Sequence, residues 1–188
     1  MEITDYNKLA QEVHENALRH GFWQEHTSDE HFLCLVVAEL MEAVEAHRHG
    51  KKMRETTIGA FEFAVSLQPH EYAYWFNDFI KDSVEDELAD AFIRLLDLAG
   101  AHEYDINSRI ERPIRWEVRT NEEQFTENVW DIVCMLSMRI AICQRTRVIY
   151  AMRMLQKLAQ AMGCDLAWHI EHKMQYNATR PYKHGKAY

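Results

Sequence analysis

The residues of this chain best placed to do chemistry are two acidic pairs set into otherwise apolar stretches. In Phe32-Leu-Cys-Leu-Val-Val-Ala-Glu39-Leu-Met-Glu42 the two carboxylates fall at i, i+3, on one face of a helix whose other residues favour burial. Val84-Glu-Asp-Glu87-Leu-Ala-Asp90 repeats the arrangement beside Leu88, Ala91 and Leu95. Like charges so spaced repel by about 0.2–0.5 kcal/mol even on an exposed helix, and desolvating them without compensation costs far more. If the two helices pack together, Glu39, Glu42, Glu87 and Asp90 converge, and a shared cation relieves both costs. Hard carboxylate oxygens suit Mg²⁺, with Mn²⁺ possible, and Mg²⁺ completes its octahedron with water and phosphate oxygens. A single acidic pair is ordinarily a solvated face; the repetition on two apolar helices shifts the reading towards a metal site and phosphate chemistry. Glu45 and Glu85, next to the pairs, read as solvent-facing.

A second constellation lies near the C-terminus. At about 100° per residue, His169, Lys173, Asn177 and Arg180 form one narrow stripe if the helix persists that far. The cations suit phosphate oxygens, and the amide offers donors and acceptors to phosphate, sugar or base. The alternative is a basic helix end complementing the macrodipole.

The elements that must position these groups read as helices throughout. Six Gly and three Pro in 188 residues give too little turn punctuation for a sandwich or barrel, and 47% hydrophobic content excludes disorder. Helical periodicity and capping signals predict an all-α bundle with helices over about 5–20, 27–49, 79–100, 147–162 and 165–177, and another opening near Thr120. Residues 51–78 read as partial helix beginning at Pro69, and 1–188 reads as a single domain. A formal net charge of −9 argues against a long nucleic acid, and no stretch has the composition of a signal peptide or a membrane span. Cys34, Cys134, Cys143 and Cys164 lack metal-site spacing and read as reduced, buried thiols, so a cytoplasmic protein is expected.

At its acidic pairs the chain resembles the MazG-like all-α nucleoside triphosphate pyrophosphohydrolases, which carry ExxE on one helix and ExxD on the next. The stretch Lys173-Met-Gln-Tyr-Asn177-Ala-Thr-Arg180 also looks like that family's substrate-contacting KxxxNxxR ending. The resemblance implies Mg²⁺-dependent hydrolysis of an NTP or dNTP to the monophosphate and pyrophosphate. It implies a metal set of Glu39, Glu42, Glu87 and Asp90, with Glu39 or Glu42 taking the proton of the attacking water. Lys173, Asn177 and Arg180 would contact substrate. Phe22-Trp23 resembles the family's aromatic segment near the base, where Trp23 would stack and His26 would reach; the alternative for Trp23 is a core or dimer-interface position. Three departures stand out: residues 51–78 look inserted, Ala38 stands where many relatives carry a further Glu, and 110–163 supplies helices a minimal member lacks.

A di-iron carboxylate bundle would need Glu-x-x-His on two helices, and no Glu here has His three residues later. A non-catalytic helical nucleotide-binding or interaction module is the remaining alternative. The helix carrying Glu39 is apolar nearly all round, which predicts a homodimer unless the additional helices cover it.

Overall fold

The computed structural model describes residues 3–24, 27–138 and 141–185, and among these the chain is an all-helical bundle without strands. In chain order the helices are α1 (Tyr6–Arg19), α2 (Asp29–Arg48), α3 (Glu55–Leu67), α4 (Tyr72–Phe79), α5 (Val84–Ala101), α6 (Asn107–Ile110), α7 (Phe125–Ser137), α8 (Gln144–Ala161) and α9 (Leu166–Ala178).

Helix α5 is the axis of the bundle, enclosed by α1, α2, α8 and α9. Its Leu88, Phe92, Leu95 and Leu96 are fully buried, each contributing about 1.5–3 kcal/mol of hydrophobic stabilisation. Between Val84 and Gly100 only Asp90, Ile93 and Arg94 are partly exposed, and these three face one cavity. Helix α1 presents Tyr6, Ala10, Val13 and Ala17 to α5. The two backbones come so close that a Cβ on Gly100 would stand 2.3 Å from the Ala10 carbonyl oxygen.

Caps set the helix starts. Asp5, Ser28, Ser83 and Asp165 each accept a hydrogen bond from a backbone N–H in the first turn of the following helix. The helix expected over 79–100 therefore starts later, at Val84: Asp82 adopts φ 62°, which breaks the run after Phe79, and Ser83 caps the new start. Similarly, α7 begins at Phe125, after a 3₁₀ turn at Glu122–Gln124, rather than near Thr120.

Residues 51–78 are more helical than the sequence suggests, since α3 begins at Glu55, well before Pro69. Arg54 precedes it without a side-chain cap, so no capping signal marks its start. Its stability is tertiary: Phe61, Tyr72, Phe76 and Ile80 form a small aromatic core with Tyr176 of α9. Helix α7 packs on α2 and α8, with Phe125 stacked on His47 of α2 at 4.4 Å, so the added helices cover part of α2. All four cysteines are free, yet Cys34 and Cys143 are exposed and Cys134 and Cys164 only partly buried, correcting the expectation of buried thiols. No helix among the described residues is long and apolar enough to cross a membrane.

Candidate functional site

A cavity of about 170 Å³ opens where α1, α2, α5 and α9 meet, and both constellations seen in the sequence line it. Glu39 and Glu42 come from α2, Glu87 and Asp90 from α5, and Lys173 and Asn177 from α9, with Arg180 just beyond its end. The i, i+3 spacing on α2 and α5, which are packed along one another, brings the pairs together.

The acidic quartet divides into a trio and an outlier. One carboxylate oxygen from each of Glu39, Glu42 and Glu87 lies within 4.8 Å of the others, and Glu39 and Glu87 are buried while Glu42 is exposed. Asp90 lines the same cavity, but its Oδ2 lies 2.8 Å from Lys173 Nζ, turned towards α9. Burial, reinforced by Asp86 and Asp90, pushes the Glu87 carboxyl up to about 9. Burial also raises Glu39, aided by Asp90 and opposed by Arg94. Lys173 is nearly inaccessible, and although burial disfavours its charge, Asp90 and Asp86 together hold it firmly as an ammonium.

Asn177 lines the cavity and is 8% exposed; its Oδ1 is buried and has no hydrogen-bond partner among the described residues. Arg180 lies with its guanidinium 5.6 Å from the Tyr176 ring centre. His169, the first member of the stripe, is buried edge-on against Trp168 and does not line the cavity.

Trp23 is placed differently from the expectation that it would face a base. Its Nε1 donates to both oxygens of Asp97, at 2.9 and 3.1 Å, and its ring stacks on Phe32 at 3.8 Å. Phe22 is the aromatic residue of the cavity wall. His26 lies outside the described residues. Glu45 is exposed as expected, paired with Arg48 and His49. Glu85 is not solvent-facing: it is buried and accepts a hydrogen bond from the Met53 N–H at 2.9 Å, fastening the start of the 51–78 segment.

Sequence reasoning missed three charged residues here. Arg94 donates to Glu39 from Nε and Nη2, at 3.0 and 2.9 Å. Asp97, bonded to His14 at 2.8 Å and to Trp23, also lines the cavity. Both continue the face that carries Glu87 and Asp90, so charges persisting one and two turns along an apolar helix are a signal that was available. Asp86 holds Lys173 through both oxygens at 2.9 and 2.8 Å; its i, i+4 spacing to Asp90 sets it on that face, unlike Glu85, but nothing local to α5 names Lys173 as its partner.

Comparison of the chain with protein-family models, curated proteins and solved structures finds no match in any of the three.

Proposed function

We propose that this protein is a nucleoside triphosphate pyrophosphohydrolase that cleaves an NTP or dNTP between its α and β phosphates, giving the monophosphate and pyrophosphate. The observation that carries the reading is the meeting, in one cavity, of three mutually close carboxylates with Lys173, Asn177 and Arg180. The donor set fits a divalent cation: all oxygens and hard, with burial first and then Asp86 and Asp90 pushing the Glu87 carboxyl up to about 9. Mg²⁺, or Mn²⁺ in its place, would be held by Glu39, Glu42 and Glu87, with Asp90 of the same cavity as the fourth candidate ligand. When bound it supplies neutralisation of phosphate charge and orientation of a water for in-line attack.

The chain's own groups do the rest. Arg94 fixes the Glu39 carboxylate, Glu42 at the open side of the cavity takes the proton of the attacking water, and Arg180 and Lys173 balance charge on the departing pyrophosphate. The Asn177 side-chain amide is the neutral polar group offered to sugar or base. We propose a cytoplasmic homodimer; its support is that α2 leaves Cys34, Ala38 and Met41 exposed beside Glu42.

The test is to incubate the purified protein with Mg²⁺ and a panel of NTPs and dNTPs and to identify the products. Monophosphate plus pyrophosphate is expected. Orthophosphate alone would place the cleavage at another bond, and binding without turnover would make the protein a nucleotide-binding module instead.

A further inference from the structure

We infer that Asp86 is a positioning residue that lets Lys173 release Asp90 to an incoming divalent cation. The inference rests on the cation site proposed above and assigns its control to a residue outside that site. Lys173 Nζ makes three short contacts, to Asp86 Oδ1 at 2.9 Å, Asp86 Oδ2 at 2.8 Å and Asp90 Oδ2 at 2.8 Å. Its two partners are unequal. Asp86 is 1% exposed and fixed from several sides: the Asp82 N–H donates to its Oδ2 at 3.1 Å, its own N–H is tied to Ser83 Oγ at 3.2 Å, and it sits in the first turn of α5, where the helix end favours an anion. Asp90 is partly exposed to the cavity, and among the described residues Lys173 is its only ion-pair partner.

The asymmetry decides which bond yields. An ammonium stripped of both carboxylates in a buried site would bear the full cost of desolvation, so a lysine held by Asp90 alone would retain it against a competing cation. With Asp86 immovable on its other side, Lys173 keeps two charge-assisted hydrogen bonds when Asp90 turns away. Asp90 is then free to join Glu39, Glu42 and Glu87, and the trio becomes a quartet. Lys173 serves as a resident positive charge that withdraws from one carboxylate without losing the other.

The experiment is direct titration of the full chain with Mn²⁺ by calorimetry, in the absence of nucleotide, with helix content checked by circular dichroism. Three proteins are compared: the parent, Asp86→Asn, and the double variant Asp86→Asn with Lys173→Met. In Asp86→Asn, Asp90 is the one carboxylate left to Lys173, and Mn²⁺ binding is expected to weaken at least tenfold. The double variant removes both charges, leaves the local net charge of the parent and frees Asp90, so affinity returns to within about threefold of the parent. A loss of less than tenfold in Asp86→Asn overturns the inference, as does a double variant that stays more than about threefold weaker than the parent or loses its helix content, since Asp86 and Lys173 would then be a structural clamp. If Asp86→Asn alone loses helix content, the double variant decides on the same threshold. A parent that does not bind Mn²⁺ rejects the cation site as well, whereas a binding parent with unaltered variants rejects only the role of Asp86.

Discussion

Arg94 of α5 reaches across to α2 and places two hydrogen bonds, from Nε and Nη2, on a single oxygen of Glu39. The pair is nearly sequestered, with side-chain exposures of 18% and 6%. Hydrogen bonds to a buried charge contribute about 1.5–3 kcal/mol, and removing the donor leaves the acceptor uncompensated. Arg94→Met, which keeps the apolar stem, is expected to lower stability by about 2 kcal/mol, roughly 4–8 °C in Tm for a chain of this length. A divalent cation on Glu39 replaces part of the lost charge balance. Melting curves with and without Mg²⁺ should therefore show the gap between variant and parent narrowing with Mg²⁺; an unchanged gap would separate Glu39 from any cation site.

Glu87 gives the cation-free protein a definite pH dependence. Its carboxyl moves from an ordinary 4.5 to about 9 on folding, driven by burial and then by Asp86 and Asp90. A raised folded-state value means the native protein holds the proton more tightly than the unfolded chain. The stabilisation from protonated Glu87 is thus complete below about 4.5 and is lost as pH climbs towards 9. In chelator, Glu87→Gln should gain stability relative to the parent as pH rises from 5 to 8.5, and Mg²⁺ should abolish that gain by stabilising only the parent. Denaturant titrations at the two pH values, with and without Mg²⁺, read both effects.

How far the sequence carried the argument depends on which interactions are local. The acidic pairs and the Lys173–Asn177–Arg180 stripe were legible because helical spacing alone puts them on a face, and an apolar setting makes charge conspicuous. The bundle itself followed from helical periodicity, while the starts did not: Ser83, unread as a cap, begins α5 inside the run expected from 79, and α7 opens at Phe125, not near Thr120. What stayed hidden was long-range. Glu85 and Asp86 are adjacent first-turn acids, yet one ties down Met53 and the other Lys173, partners 32 and 87 residues away. Trp23 and Phe22 are equally adjacent, and only the position of Asp97 and Phe32 decides which of them turns inward. Helix α3 lacks a cap and depends on Tyr72, Phe76 and Tyr176 for its burial, so nothing within its own residues marks where it begins.

Gly100 tests the closeness of α1 to α5. Alanine in a helix interior is ordinarily favoured over glycine by about 1 kcal/mol. Here the added Cβ would meet the Ala10 carbonyl oxygen at 2.3 Å and its carbon at 2.9 Å, backbone atoms that move only if α1 moves. Overpacking of that kind costs about 1–3 kcal/mol and outweighs the propensity gain. Gly100→Ala is expected to destabilise the fold, read as a lower urea midpoint with unchanged m-value. A stabilised variant would mean that the two helices stand farther apart in solution.

On the proposed function, Phe22 would contact substrate while its neighbour Trp23 serves the scaffold. Trp23 is held by Asp97 and by its stack on Phe32, so Trp23→Phe keeps the stack and loses the indole donor to a buried carboxylate. The expected result is a loss of about 1–2 kcal/mol in stability, with KM for the preferred nucleotide unchanged. Phe22 stands on the cavity wall, with the Arg94 guanidinium 5.7 Å from its ring centre. Stacking of a base on an aromatic ring contributes about 1–3 kcal/mol, so Phe22→Ala should raise KM by roughly tenfold or more while kcat changes little. Steady-state kinetics and thermal melts on the two variants decide the assignment: a KM effect at Trp23 and none at Phe22 would reverse it.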